Sequence, residues 1–359
     1  MKYKIAIQPN NYGKKDGGYD DDFSACWKDT LERLGHSVKI VDVWKSNILE
    51  QLELCHAFMW RFIHSREHIQ LARRLLPTIE HYLDLPVFPN EHTAWHYDDK
   101  IAQAMIFKVL GISHPETYIF FDFTEALSFA KNYTNYPIVL KLANGAGSSN
   151  VKLISDFNEA EYYIKLVFDK GVNSLAADIS IGNRLKKIKH FARQTLKTGY
   201  TDLSLDVQKR YILFQKFLPN NAFDSRVTVI GNRAFAYRRS NRVNDFRASG
   251  SGIIDWEPSK IDEQFIRLAF DTAIKMKMQS CAIDGLYDGN KPVVGEVSYA
   301  YVHHLIHTCP GHWELQGDAK YGTLVWKDGQ MWPGEAHIVD FLEVLSERYE
   351  RKQYGNNVS

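Results

Sequence analysis

Cysteine is scarce in this chain: Cys26, Cys55, Cys281 and Cys309 are widely scattered and form no C-x-x-C pair. Such spacing argues against a disulfide framework and leaves reduced, buried thiols as the expectation. Long apolar runs are missing too, and none approaches the roughly 20 residues of a membrane span. Residues 1–7 run straight into a strand without the apolar stretch of a secretion signal, so the expected setting is the cytoplasm. Neither sign of charge dominates. With 44 Lys and Arg against 43 Asp and Glu, the net charge of +1 gives no global field pointing to nucleic acid or an anionic membrane. No internal repeat or low-complexity stretch appears, and no G-x-G-x-x-G follows the first strand, so nothing there suggests a dinucleotide.

What remains is a globular chain of 359 residues, 45% hydrophobic and 24% charged, long enough for two or three lobes. Its first part alternates strands and helices: strands at 4–8, 37–43, 57–60 and 86–88, and helices after Asp22 and over 69–83. Asp22 caps a face of Phe23, Trp27, Leu31 and Leu34, and Pro77 is expected to kink or break the second helix. Alternation of this kind predicts a parallel, doubly wound sheet. Near Asp98 the pattern changes. A helix opening at Asp98-Asp99-Lys100 is expected to turn Ile101, Met105, Ile106 and Val109 inward. A strand ending at Lys141 then enters the small-residue loop 143–149. Residues 174–209 read least clearly, and their basic run 184–197 fits a solvated helix face. Beyond 211, short loops favour antiparallel pairing: a hairpin of 225–230 with 233–239, a helix over 262–277, and strands 281–287 and 292–297. The expected domains are 1–95, 96–213 and 214–348, with a polar tail at 349–359.

Four groups of residues carry chemistry. Asp284 and Glu296 lie on adjacent strands where both carboxylates can reach one place, and Ser298 shares the face of Glu296. Hard oxygens at this spacing suit Mg²⁺; the ordinary alternative is a pair of exposed strand acids. Lys141 precedes Gly145, Gly147, Ser148 and Ser149, where backbone amides could approach phosphate oxygens. The loop lacks the Gly-Lys-Ser/Thr of a P-loop, which discards that reading. Gln215, Lys216, Phe217 and Leu218 could line an adenine, with Asp224 on a ribose hydroxyl; a plain buried strand and turn is the alternative. Arg238 and Arg239, followed by Arg247, Ser249 and Gly250, could clamp phosphates, or form an ordinary basic loop.

In order and separation, Lys100, Lys141, Gln215 to Leu218, Asp224 and Arg226, Arg238 and Arg247, Asp284 and Glu296 resemble the ATP-grasp superfamily. The likeness spans about residues 90–300 and is nearest to peptide glutamate ligases and D-alanine–D-alanine ligase. It implies an α/β fold with a doubly wound N-terminal domain, a central lid domain and a C-terminal catalytic domain built on an antiparallel sheet. It also implies an ATP-dependent carboxylate–amine ligase working through an acyl phosphate. Lys100 and Lys141 would hold phosphates, Gln215 to Leu218 adenine, and Asp224 the ribose. Arg247, with Arg239, Ser249 and Gly250, would face the transferring phosphate. Asp284, Glu296 and Ser298 would hold two Mg²⁺, for which Mn²⁺ can substitute. Ser298 departs from the asparagine usual there, and its hydroxyl reaches less far than an amide oxygen.

The implied partners are ATP and small carboxylate and amine substrates, with no nucleic acid and no membrane span, in a chain expected to form a homodimer. The stretch around Pro310 to Glu314, with Trp326 and Trp332, resembles ATP-grasp proteins of bacterial surface polysaccharide synthesis, so a sugar acid or amino acid is the expected substrate. The rival readings are a phosphotransferase on the same fold and a nucleotide-binding regulatory protein without turnover. His303, His304, His307, Cys309 and His312 could instead form a zinc site, but structural or pocket histidines are favoured because the stretch follows the catalytic strand.

Overall fold

The structure is a computed structural model that describes residues 1–10, 22–145, 150–172, 175, 207–242, 245 and 252–355, with side chains described to residue 351. Its first lobe holds β1 (Lys4–Gln8), α1 (Phe23–Arg33), β2 (Ser37–Ile40), the short α2 (Ile48–Gln51), β3 (Ala57–Trp60), α3 (Arg66–Tyr82) and β4 (Val87–Phe88). The strands pair in parallel in the order β2-β1-β3-β4, as the alternation predicts. Asp22 caps α1 by accepting from the Ala25 amide, which buries Phe23, Trp27 and Leu31, whereas Leu34 sits at the exposed C-cap. Pro77 does not break α3, which runs on to Tyr82. At that position it removes one backbone bond near the helix end, and the buried Leu75, Leu76 and Ile79 hold the last turns.

Two helices follow, α4 (Glu91–Ala94) and α5 (Lys100–Leu110). The central lobe then holds β5 (Thr117–Phe120), α6 (Phe123–Asn132), β6 (Ile138–Lys141), β7 (Val151–Ile154), α7 (Phe157–Asp169) and β8 (Ile212–Lys216). Its antiparallel sheet, ordered β5-β8-β6-β7, has a core of its own that includes Phe120, Leu140, Ile154, Ile164 and Phe214.

The third sheet is built from β9 (Phe223–Ile230), β10 (Arg233–Ser240), β11 (Ile254–Asp255), β12 (Ser280–Asp288), β13 (Lys291–Ser298), β14 (Gly311–Gln316) and β15 (Thr323–Asp328). Around it lie α8 (Glu263–Lys275), α9 (His303–His307) and α10 (Pro333–Gly355). The main order is β13-β12-β9-β10-β14-β15, every pairing antiparallel. Strand alternation splits its side chains cleanly. Val227, Val229, Ile283 and Val297 belong to the core that includes Phe265, Ile266, Ala269 and Phe270 of α8. Ile230, Phe235, Tyr237 and Ala282 belong to the core that includes Phe23 and Trp27 of α1 and Phe341 of α10. Burying Phe265 and Phe270 contributes about 1.5–3 kcal/mol each. Phe265 reaches its place only because residue 285 is glycine: a Cβ there would stand 1.5 Å from the ring. Among the described residues no helix is long and apolar enough to cross a membrane.

Candidate active site

β12 and β13 meet through a two-residue turn, Gly289-Asn290, and Asp284 stands directly opposite Glu296. Asp284 is also opposite Arg226 on β9, and Arg226 is opposite Tyr237 on β10. Directly opposed residues share a face, so Glu296, Asp284, Arg226 and Tyr237 form one row across four strands. Two residues along, Asp224 and Arg239 form a parallel row on the same face.

The rows are tied together by charge. Arg226 donates to both Asp284 oxygens, through Nε at 2.6 Å and Nη2 at 2.8 Å. Arg239 donates through Nε and Nη2 to the two Asp224 oxygens, at 2.7 and 2.6 Å, and its Nη2 also lies 2.8 Å from Asp284. Burial by itself would raise the Asp284 carboxyl; the guanidiniums of Arg226 and Arg239 outweigh it and hold the acid well below the usual carboxylate range. Bidentate geometry of this kind is the strong form of the contact.

Glu296 is differently placed. It is more than a third exposed, and Lys100 Nζ stands 3.4 Å away. The same ammonium donates to the Gly145 carbonyl at 3.0 Å. Lys141, which ends β6, joins this group: burial lowers its pKa to about 8, Glu296 and Asp284 pull it back up, and Lys100 pushes it down. Lys100, Lys141, Gly145, Glu296 and Asp284 are thus gathered from two sheets and the helix beside them.

Other expected residues are placed with different partners. Asp224 is buried and gives both oxygens to Arg239. Ser298 is on the face of Glu296, but its hydroxyl donates to the Ala300 carbonyl at 2.8 Å. Gln215 donates to Thr117 Oγ1 at 2.9 Å, Lys216 grips Asp288 at 2.8 Å, and Leu218 is buried. The chain from Lys216 to Phe223 carries β8 of the central sheet into β9 of the large one, and Asn221 fixes it by exchanging two hydrogen bonds with the Tyr287 backbone. Gly147, Ser148, Ser149, Arg247, Ser249 and Gly250 lie outside the described residues, as does the basic run 184–197.

The inward face of α5 corrects the expectation. Lys100, Gln103 and Phe107 are its buried residues; of those expected inward, Ile106 packs partly buried against the core, while Met105 is 47% and Val109 83% exposed. Polar groups won this face because each has a partner there. Gln103 donates to the Val297 carbonyl at 2.7 Å and accepts from the Val297 amide at 3.2 Å. It thereby acts as a substitute strand neighbour on the open edge of β13, one residue from Glu296. Asp98 was also passed over: it accepts the Gly145 amide at 2.7 Å and pairs with His64 at 2.8 Å. A glutamine spaced i, i+3 from Lys100, on a helix whose one other polar residue is Lys108, was the available signal for Gln103.

The histidine stretch is spread over several packing contacts. Among the described residues no three metal-capable side chains gather. His303 Nε2 accepts from the Gly334 amide at 3.1 Å, and its ring centroid lies 4.0 Å from that of Phe23. His307 stacks on Trp332 at 3.8 Å, and burial pushes the Cys309 thiol up to about 12. His312 packs by Phe235, 3.6 Å from Glu314.

The sequence matches no protein-family model and no curated protein. Solved structures do match. N5-carboxyaminoimidazole ribonucleotide synthetase in its ADP complex is 11% identical, covering 88% of this chain and 74% of its own, with a TM-score of 0.53. N5-carboxyaminoimidazole synthetase from Staphylococcus aureus is 12% identical, with 86% and 72% covered and a TM-score of 0.51. A RimK domain ATP-grasp protein from Sphaerobacter thermophilus is 17% identical, with 82% and 90% covered and a TM-score of 0.46.

The chain has the ATP-grasp fold. The parallel N-terminal sheet, the central antiparallel sheet and the large antiparallel sheet are the parts of that fold in this molecule. Within it, the Glu296 row lies on the large sheet while Lys141 and Gly145 come from the central one.

Proposed function

We propose that this protein is an ATP-dependent carboxylate–amine ligase. The observation that carries the reading is the Lys100–Glu296 pair beside a guanidinium-bound Asp284, with the buried Lys141 ammonium within their electrostatic reach. One ammonium beside a loosely held carboxylate, with a second, buried ammonium that feels its charge, suits a ligand that brings phosphates and a divalent ion together.

In this proposal Lys100 and Lys141 hold the ATP phosphates, with Gly145, Gly147, Ser148 and Ser149 covering them. The adenine lies along Gln215, Lys216, Phe217 and Leu218. Asp224 was assigned to the ribose by resemblance, and its grip on Arg239 makes it a brace for that arginine instead. Glu296 fits Mg²⁺ by its hard, exposed oxygens; Asp284 and Ser298 are the other candidates, each already engaged. When bound, the metal neutralises phosphate charge.

The acid substrate's carboxylate oxygen attacks the γ-phosphorus, the bond to the β-bridging oxygen breaks, and ADP leaves. The amine then attacks the acyl phosphate carbonyl, loses its proton to solvent and expels phosphate, leaving an amide. Arg226, Arg239 and the proposed Arg247 loop offset charge during transfer, with Ser249 and Gly250 at the same loop. A sugar acid or an amino acid is the proposed acid class. The test is ADP release over carboxylate–amine pairs that include sugar acids, with the product weighed by mass spectrometry. An amide supports the ligase, whereas a phosphorylated alcohol would make the protein a phosphotransferase. The prior commitment of Asp284 favours one further reading, nucleotide binding without turnover.

A further inference from the structure

Asp284 is the best-satisfied acid of the site, and this bears on how many metal ions the site takes. We infer that the guanidiniums of Arg226 and Arg239 take the place of one divalent ion, so that a single ion, carried by Glu296, accompanies ATP. The inference rests on the ligase reading for the presence of ATP and refines the two ions expected from the sequence.

Asp284 Oδ1 accepts from Arg226 Nε, and Oδ2 accepts from Nη2 of both Arg226 and Arg239. Three of the roughly four lone-pair positions of the carboxylate are therefore used. Strand register places Arg226 opposite Asp284 and Arg239 opposite Asp224. Side-chain exposure is 16% for Arg226, 8% for Arg239 and 18% for Asp284, so water does little to loosen the contacts.

A second ion would also have to sit beside two fixed positive charges. Mg²⁺ demands near-octahedral oxygen at about 2.0–2.1 Å, which would bring it close to both guanidiniums. The third expected ligand offers little help, since Ser298 Oγ is turned to the Ala300 carbonyl. Glu296 is the contrast: its side chain is 38% exposed and its nearest cation, Lys100, stands at 3.4 Å. Arg226 and Arg239 carry two positive charges, offset by Asp284 and Asp224, and the Nη1 group of each, which holds no carboxylate here, is the one left to meet a phosphate oxygen.

Counting ions in the nucleotide complex tests this without any turnover. The full chain is saturated with the non-hydrolysable analogue AMP-PNP and titrated with Mn²⁺, free Mn²⁺ being read by electron paramagnetic resonance. One Mn²⁺ per chain is expected, and two per chain would overturn the inference while leaving the nucleotide reading intact. Failure of the chain to bind AMP-PNP would instead overturn the nucleotide reading. Arg226→Met uncovers Asp284 and is expected to admit a second Mn²⁺, whereas Arg226→Lys keeps a charge there and stays at one. A folded Arg226→Met protein that binds the analogue and still takes one Mn²⁺ would show that the guanidinium does not exclude the ion. The wild-type count stands as a test even where that variant fails to fold.

Discussion

Glu296 and His303 are seven residues apart in the chain, and both belong to sets of metal-capable side chains, yet their surroundings are opposite. Glu296 faces Lys100 and lies one carboxylate away from two guanidiniums, with more than a third of its side chain exposed. His303 is fully buried against Phe23 and Trp332, and one ring nitrogen accepts a backbone amide. Nearby His337 shows the same logic more strongly: burial, aided by Arg61, pushes its pKa down to about 3. It stays neutral, bonded to Trp27, Tyr301 and Ser280. Residue type therefore did not separate a candidate site from a structural cluster. Exposure and the charge of the partners did.

The sharpest way to break that contrast is to neutralise its charged side. Glu296→Gln should lower ATP turnover by about 10³-fold or more, because the side chain keeps its shape and loses the charge that draws the cation. Thermal unfolding should shift little. Turnover within a few-fold of wild type would place the metal elsewhere.

On the buried side, His303→Ala should act through packing. We expect a loss of about 2–4 kcal/mol in denaturant unfolding, the range for large-to-small core changes. Elemental analysis of the wild type should find no zinc, and a chelator should leave its melting temperature unchanged. Stoichiometric zinc would restore the metal reading of the histidines.

Gln103 lies between the two regimes, buried yet serving the charged site. Its replacement by Leu should cost about 1–3 kcal/mol, since both backbone groups of Val297 lose their partner on the edge of β13. A matched loss of stability from Phe107→Leu, on the same face of α5, should leave the Mn²⁺ affinity of the AMP-PNP complex unchanged, whereas Gln103→Leu should weaken it. Equal effects from the two would make Gln103 a packing residue only.

Lys141 adds a pH test. Only its protonated form attracts phosphate, and burial lowers its pKa to about 8, so AMP-PNP affinity should fall as pH rises through that value. Lys141→Ala should weaken binding about ten-fold and flatten the profile. Calorimetry at several pH values reads both effects, and a sloping profile that survives the substitution would assign the titration to another group.

Much of the fold was legible because it rests on local rules. Asp22 and Asp99 cap helices as capping chemistry dictates, and the turn at Gly289-Asn290 sets Asp284 opposite Glu296. The parallel and antiparallel sheets followed from connection length. What could not be read is what depends on contacts far apart in sequence. No local pattern tells that Gln103 pairs with Val297, that Asp98 receives the Gly145 amide, or that Arg239 spends its donors on Asp224 and Asp284. The inward face of α5 was misread for the same reason, since apolar spacing cannot foresee a lysine and a glutamine whose partners lie on other elements.

The smallest expected effect concerns Ser298. With its hydroxyl given to Ala300, Ser298→Ala should leave the Mg²⁺ dependence of turnover unchanged, and Ser298→Asn should lower the requirement only a few-fold. A large rise in the Mg²⁺ requirement of Ser298→Ala would make the hydroxyl a ligand after all.

The measurement that bears most directly on the proposed ligase is product accounting. ADP release is followed with an acid alone, an amine alone and both together, across a panel that includes sugar acids and amino acids, and the products are weighed by mass spectrometry. The account predicts ADP release sustained only when acid and amine are both present, with one amide formed for each ADP. Sustained ADP release that yields a phosphorylated alcohol and no amide would contradict it.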